Sequence, residues 1–143
     1  MPFERIENIT SADIALRITG ETPGELFVAA GAALRAVMLE ENGRAADSPE
    51  IMFDLRAESI EALLYSFLDG LLFYKDSEAL LVRPAAVEVR HDAGGASLKC
   101  RAFSERIDPS VHRFIVDIKA VTMHRFSVRF ENGLWTATVV LDV

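Results

Sequence analysis

The strongest structural signal in this chain is Ile60-Glu-Ala-Leu-Leu-Tyr-Ser-Phe-Leu-Asp-Gly-Leu-Leu72. Apolar side chains recur here every three or four residues, which places them on one stripe of a helix. The stripe consists of Ile60, Leu63, Leu64, Phe67, Leu68, Leu71 and Leu72. A helix with such a stripe must bury it against another element, and we expect that element to be a β-sheet.

The sequence before this helix predicts two strands and a first helix. Residues 50–55 have the pattern of a short strand, and residues 12–19 alternate in the period of a half-buried strand. Thr22-Pro-Gly-Glu25 is a capping box with proline in the first helical position, so a helix begins there. We expect that helix to end near Asn42-Gly43, which favour a left-handed cap, within a polar loop at 40–49.

The sequence after the long helix predicts four further strands. They span residues 82–90, 97–103, 114–130 and 134–143, with turns at Asp92-Ala-Gly-Gly95 and Glu131-Asn-Gly133. The element order β-α-β-α-β-β-β-β indicates an α+β fold. We therefore expect a single domain over residues 1–143, in which two helices pack on one face of a mixed, largely antiparallel β-sheet.

Composition limits the functions that this protein can have. The chain has 143 residues, 50% of them hydrophobic, which is enough for one substantial core and too little for two ordinary domains. The net charge of −7 opposes autonomous binding to nucleic acid or to an anionic membrane. We see neither a signal peptide nor an apolar run near the roughly 20 residues that span a bilayer. A single cysteine excludes an internal disulfide and fits the cytoplasm.

Isolated reactive side chains have ordinary structural interpretations. Cys100 lies inside an alternating strand, where a lone cysteine is usually a small packed residue. Side-chain alternation along 114–130 places His124 on the mostly buried side, which favours a packed histidine over a metal ligand. The same alternation places Lys119 and Val121 on the outward side. His91 adjoins a predicted turn, where we expect it to be solvated.

The end of the chain holds a candidate site for a divalent cation. The strand pattern of 134–143 continues to the last residue, so the α-carboxylate of Val143 lies beside the carboxylate of Asp142. Asp13 and Lys119 are polar, outward positions on other predicted strands, and the three strands could converge if they are neighbours. Carboxylates suit Mg²⁺, Ca²⁺ or Mn²⁺ rather than zinc, and a nearby lysine could hold a phosphate or a carboxylate. Solvated surface side chains are the alternative interpretation.

Several segments, in order along nearly the whole chain, resemble the archease family. They are Ser11-Ala-Asp13, the helix start at Thr22–Phe27, Phe67-Leu-Asp-Gly-Leu-Leu-Phe73 with Asp76 beyond it, Ile118-Lys-Ala-Val-Thr-Met-His124 and Val140-Leu-Asp-Val143. The most specific of these are the Lys-Ala-Val-Thr-x-His segment and the Leu-Asp-aliphatic ending. The chain departs from the family's usual first motif, because Ile9-Thr10 stands where many members have Asp-His or a similar Asp-x pair.

The resemblance implies an accessory protein that is not itself an enzyme. Archeases assist the RtcB-type RNA ligase of tRNA splicing and RNA repair, promoting its GTP-dependent guanylylation and its multiple turnover. The family's metal site carries over onto Asp13, Asp142 and Val143, and its motif lysine onto Lys119. The protein would then contact GTP and RNA only through the ligase.

Two other classes of function are compatible with the sequence. A stand-alone metal-dependent hydrolase would need a general base and a nucleophile site, and the sequence has no Ser-His-Asp arrangement, phosphate loop or paired-metal motif. A metal-independent protein-binding or chaperone-like module is the stronger alternative, because an acidic α+β domain with open strand edges can bind partners directly. Metal dependence of partner binding separates this module from an archease.

Overall fold

The part of the chain that the structure describes is an α+β fold with two helices and two antiparallel sheets. The computed structural model describes residues 2–6, 13–40 and 48–143. In chain order, the elements are β1 (Phe3–Ile6), β2 (Asp13–Gly20), α1 (Pro23–Met38), β3 (Glu50–Ala57), α2 (Ile60–Glu78), β4 (Leu80–Asp92), β5 (Gly95–Arg106), β6 (Ala120–Glu131) and β7 (Leu134–Asp142). The sheet orders are β1-β2-β7-β6 and β3-β5-β4. The predicted α+β class is confirmed.

The strands form two sheets where the sequence analysis expected one. Every described strand pair is antiparallel, and both helices contact strands of both sheets. The helices therefore lie between the sheets, and each helix needs apolar side chains on more than one side. The stripe of α2 supplies them: Leu63, Leu64 and Leu68 are fully buried. Phe67 of α2 meets Phe27 of α1 with ring centroids 5.4 Å apart.

The helix starts follow the sequence signals, whereas the end of α1 does not. The hydroxyl of Thr22 accepts a hydrogen bond from the Glu25 N–H at 3.1 Å, as a capping box requires. Helix α1 ends at Met38, because Leu39 turns to extended backbone and pairs with Phe114. The expected cap at Asn42-Gly43 lies outside the described residues. Neither helix is long and apolar enough to cross a membrane.

Strand β6 is shorter and less regular than the sequence analysis predicted. It begins at Ala120, not at residue 114, and its pairing with β7 is irregular between Thr122 and Ser127. This irregularity inserts extra residues, so the simple alternation of sides fails. His124, inside the irregular segment, is exposed instead of packed. The prediction of a packed His124 is therefore wrong. Val121 precedes the irregularity and is buried instead of outward, because the alternation was counted from residue 114 whereas the strand begins at Ala120.

The single cysteine lies deep in the other sheet. Cys100 belongs to β5, the central strand of β3-β5-β4, and is 1% exposed. Burial raises the pKa of its thiol to about 11, because an apolar environment disfavours the thiolate. The thiolate is the reactive form of cysteine. The prediction of a packed residue is therefore confirmed.

Candidate metal site

Two aspartates face each other across neighbouring strands at one end of the four-stranded sheet. Asp13, the first residue of β2, pairs in register with Asp142, the last residue of β7. Directly opposed residues of an antiparallel pair put their side chains on the same face, with Cβ atoms about 5 Å apart. Both are partly exposed. The structure therefore brings together two of the carboxylates that the sequence analysis singled out.

Lys119 immediately precedes β6, the third strand at this end. Ala120 of β6 pairs with Asp142 on its other side, and the Lys119 N–H donates to the Asp142 carbonyl oxygen at 2.8 Å. The Lys119 side chain is exposed, as predicted. Val143 follows Asp142 directly, and its side chain packs against the core. All four predicted site residues thus lie at the same sheet end.

A buried lysine holds the segment that leads into Lys119. Lys75 Nζ, on α2, donates to Asp76 and to Asp117 at 2.6 Å each, and to the Ile118 carbonyl oxygen at 3.4 Å. Burial by itself would lower the pKa of Lys75, but its hydrogen bonds and charge interactions with Asp117 and Asp76 outweigh burial, so the pKa is raised. Lys75 is therefore a cation that fixes the backbone immediately before Lys119.

A second charged cluster holds the other end of the segment that joins β5 to β6, residues 107–119. Glu105, at the end of β5, is completely buried and lies 3.0 Å from both Arg35 of α1 and the Nε2 atom of His112. His112 Nδ1 accepts from the Asp108 N–H at 2.9 Å, so Nε2 carries the proton that is shared with Glu105. Arg83 approaches the same carboxylate at 3.9 Å. His112, whose role the sequence did not reveal, is thus a buried structural link.

The sheet end has the right donor chemistry for a hard cation but few donors. Asp13, Asp142 and the Val143 α-carboxylate offer oxygen ligands, which Ca²⁺, Mg²⁺ and Mn²⁺ prefer. Within residues 2–6, 13–40 and 48–143, no three His, Cys, Asp or Glu residues are grouped as a metal site. Ca²⁺ takes about six to eight oxygens. Water or a partner's atoms would therefore have to complete the coordination. The departure at Ile9-Thr10 lies outside the described residues.

Sequence reasoning missed both charged clusters, and one of them left a signal. Lys75 continues the apolar stripe of α2, three and four residues after Leu72 and Leu71, and a lysine at a buried helical position needs charged partners. Glu105 left no such signal, because the alternation of buried side chains along β5 shifts by one residue near the end of the strand.

The architecture and the carboxylate pair define a small α+β protein with a candidate cation site at a sheet end. Its sequence matches the model of the Archease protein family (MTH1598/TM1083) over residues 3–143. The chain belongs to the archease family.

Similar proteins of known sequence and structure cover almost all of this chain. It is 34% identical to protein archease of Pyrococcus furiosus over 134 residues, 93% of this chain and 94% of that protein. It is 32% identical to protein archease of Methanopyrus kandleri over 145 residues and the full length of both chains. The solution structure of Methanobacterium thermoautotrophicum protein 1598 superimposes with a TM-score of 0.81 at 31% identity, covering 99% of each chain.

A more distant structure shares the fold. The crystal structure from Thermotoga maritima, described as an archease and possible chaperone, superimposes with a TM-score of 0.58 at 21% identity over 98% of each chain. The two-sheet arrangement is thus the fold of the family.

Proposed function

We propose that this protein is a cytoplasmic, non-enzymatic accessory protein of an RtcB-type RNA ligase. It would promote the ligase's guanylylation by GTP and its repeated turnover in tRNA splicing or RNA repair. The family membership supports the proposal, and one observation carries it for this chain. Asp13 and Asp142 are paired in register at a sheet end, where they can present two carboxylates to a partner.

The residues of this end have separable tasks. Asp13, Asp142 and the Val143 α-carboxylate would hold a divalent cation, Ca²⁺, Mg²⁺ or Mn²⁺. Such a cation supplies positive charge against phosphate oxygens when bound. Lys119 is exposed beside the carboxylates and would hold a phosphate or a carboxylate of the ligase. Lys75 would keep Lys119 in place through Asp117 and the Ile118 carbonyl.

The charge of the whole protein supports a basic protein partner. A net charge of −7 steers association toward a positively charged cleft, and raises the rate of encounter more than the final affinity. The phosphate oxygens of a nucleotide held in such a cleft would supply the cation ligands that the three protein carboxylates do not provide. GTP and RNA would therefore be contacted through the ligase.

The test is RNA ligation with the cognate ligase held well below its substrate, in GTP and Mn²⁺. We compare no addition, this protein, its Asp142→Asn variant and its Asp54→Asn variant. Asp54 is an exposed aspartate of the other sheet and serves as the matched control. We expect more than one product per ligase with the unmutated protein and with Asp54→Asn, but not with Asp142→Asn.

Two other outcomes have defined meanings. No gain over the ligase alone would contradict the accessory role for this chain. Equal stimulation by Asp142→Asn would keep the ligase as partner and discard the carboxylate site. The second result would favour a metal-independent, chaperone-like module, in line with the description of the Thermotoga maritima structure as a possible chaperone.

A further inference from the structure

Three arginines line one cavity on the outer face of the four-stranded sheet. The cavity measures about 530 Å³, which is within the range of small-ligand sites. We call the arginine and hydroxyl residues of its lining the arginine face. They are Arg17, Arg125, Arg129, Ser127, Thr136 and Thr138.

The strand register orders these side chains. Thr138 of β7 pairs with Arg17 of β2 on one side and with Ser127 of β6 on the other. Thr136, two residues away on the same face, pairs with Arg129. Hydroxyl groups therefore form the floor of the cavity, and guanidinium groups rise from the strands on both sides of it.

Arg125 reaches this face through strained backbone. It lies in the irregular part of β6 with a φ of 56°, in the left-handed region that side chains with a Cβ rarely occupy. Such a conformation is unfavourable for a residue with a Cβ and often marks a functional position. The irregular segment of β6 therefore places a third arginine, Arg125, at the cavity.

These positive charges are poorly neutralised. In the part of the chain that the structure describes, neither Arg125 nor Arg129 forms a salt bridge, whereas Arg17 pairs with Glu4 at 2.7 Å. That pair is exposed on both sides, and exposed pairs exchange at little cost. Glu131 also lines the cavity. Even so, arginine outnumbers acid there, in a protein with 22 acidic and 15 basic residues.

We propose that the arginine face binds the polyphosphate group of a small ligand, either free polyphosphate or the phosphate tail of a nucleotide. Guanidinium groups match phosphate oxygens with paired hydrogen bonds, and hydroxyls can add further donors. The one aromatic ring in the lining, Phe126, is 7% exposed, so no ring is open for a base to stack on. The face recognises phosphate and is indifferent to the base.

The arginine face is separate from the carboxylate end. Arg17 lies four residues from Asp13 along β2, about 13 Å. The proposal therefore requires no ligase and no bound metal, and its failure would leave the proposed function untouched.

Calorimetric titration in EDTA at physiological ionic strength tests whether the arginine face binds polyphosphate, with tripolyphosphate, ATP and CTP as ligands. We expect the three affinities to agree within about threefold, and Arg129→Ala to weaken each about tenfold or more. Arg106→Ala, which removes an exposed arginine of the other sheet, should leave binding unchanged. Glu4→Gln should strengthen binding, because it releases Arg17.

Arg125→Gly separates binding from folding. Glycine tolerates a φ of 56°, so this variant should unfold at the same or a higher temperature while binding tripolyphosphate at least about tenfold more weakly. The proposal is overturned by an absence of binding, by equal weakening in Arg106→Ala, or by a strong preference between ATP and CTP. Binding of a 12-nucleotide oligo(U) without binding of tripolyphosphate would overturn it in favour of RNA.

Discussion

The connection between β5 and β6, residues 107–119, is held at its two ends by charged clusters that differ in how deeply the charged partners are buried. At the first end the carboxylate of Glu105 and the ring of His112 are both fully buried. At the second end Lys75 is 5% exposed, but its partners Asp76 and Asp117 are 54% and 68% exposed. A charge that loses its partner is costly only where water cannot replace that partner. The two ends should therefore differ in stability cost although both look like ion pairs.

Removing the buried carboxylate should have the largest effect. Glu105→Gln takes away the charge beside Arg35 and His112, and we expect a loss of about 3–5 kcal/mol in the free energy of unfolding. Denaturant titration measures it. Glu88→Gln is the matched control, because Glu88 pairs with Arg90 on the surface and should change stability by less than about 1 kcal/mol. Equal losses in the two variants would refute the contrast.

Removing His112 should lower the free energy of unfolding by less, because Glu105 keeps its ion pair with Arg35. His112→Ala deprives Glu105 of a donor and the Asp108 N–H of its acceptor, and we expect a loss of about 1–3 kcal/mol. Thermal unfolding of this variant and of His91→Ala, which alters an exposed histidine, provides the comparison. A His91→Ala effect as large as that of His112→Ala would argue against the buried link.

Replacing the lysine should cost least of the three. Lys75→Met leaves Asp76 and Asp117 in water, and we expect a loss of about 1 kcal/mol or less at pH 7. Because the folded-state pKa of Lys75 is raised above 10.5, its contribution is fully present below pH 10.5 and is lost as the pH rises through the folded-state value. The stability difference between wild type and Lys75→Met should therefore shrink above pH 10.5. A difference that grows with pH would contradict the assigned contacts.

The carboxylate pair offers the smallest effect and the opposite sign. Asp13 and Asp142 are like charges in directly opposed positions, so Asp142→Asn should raise stability in EDTA by about 0.2–1 kcal/mol. Excess Ca²⁺ should raise the unfolding temperature of the wild type and leave that of the variant unchanged. Stabilisation of both proteins by Ca²⁺ would place the cation elsewhere.

Regular elements could be predicted from the sequence because local patterns specify them. The stripe of α2, the Thr22 cap and the run into Asp142 each depend on neighbours in the chain. The sequence groups Asp13 with Asp142 only if their strands are neighbours, or through the resemblance to the archease family. The division into two sheets could not be predicted, because strand alternation does not say which strands pair. The irregular pairing between Thr122 and Ser127 defeated the prediction for His124. Strand β6 has three more residues there than β7, and side chains inside such a segment do not alternate.

The buried thiol of Cys100 makes the opening rate of the three-stranded sheet measurable. Cys100 is the only cysteine of the chain, so a thiol reagent can label the protein only when β5 is opened to solvent. The labelling rate then reports how often that sheet opens, residue-specifically and without any mutation. Cation or phosphate bound to the four-stranded sheet slows this labelling only if both sheets open together. The labelling rate of Cys100 therefore shows whether the two sheets unfold in a single cooperative transition.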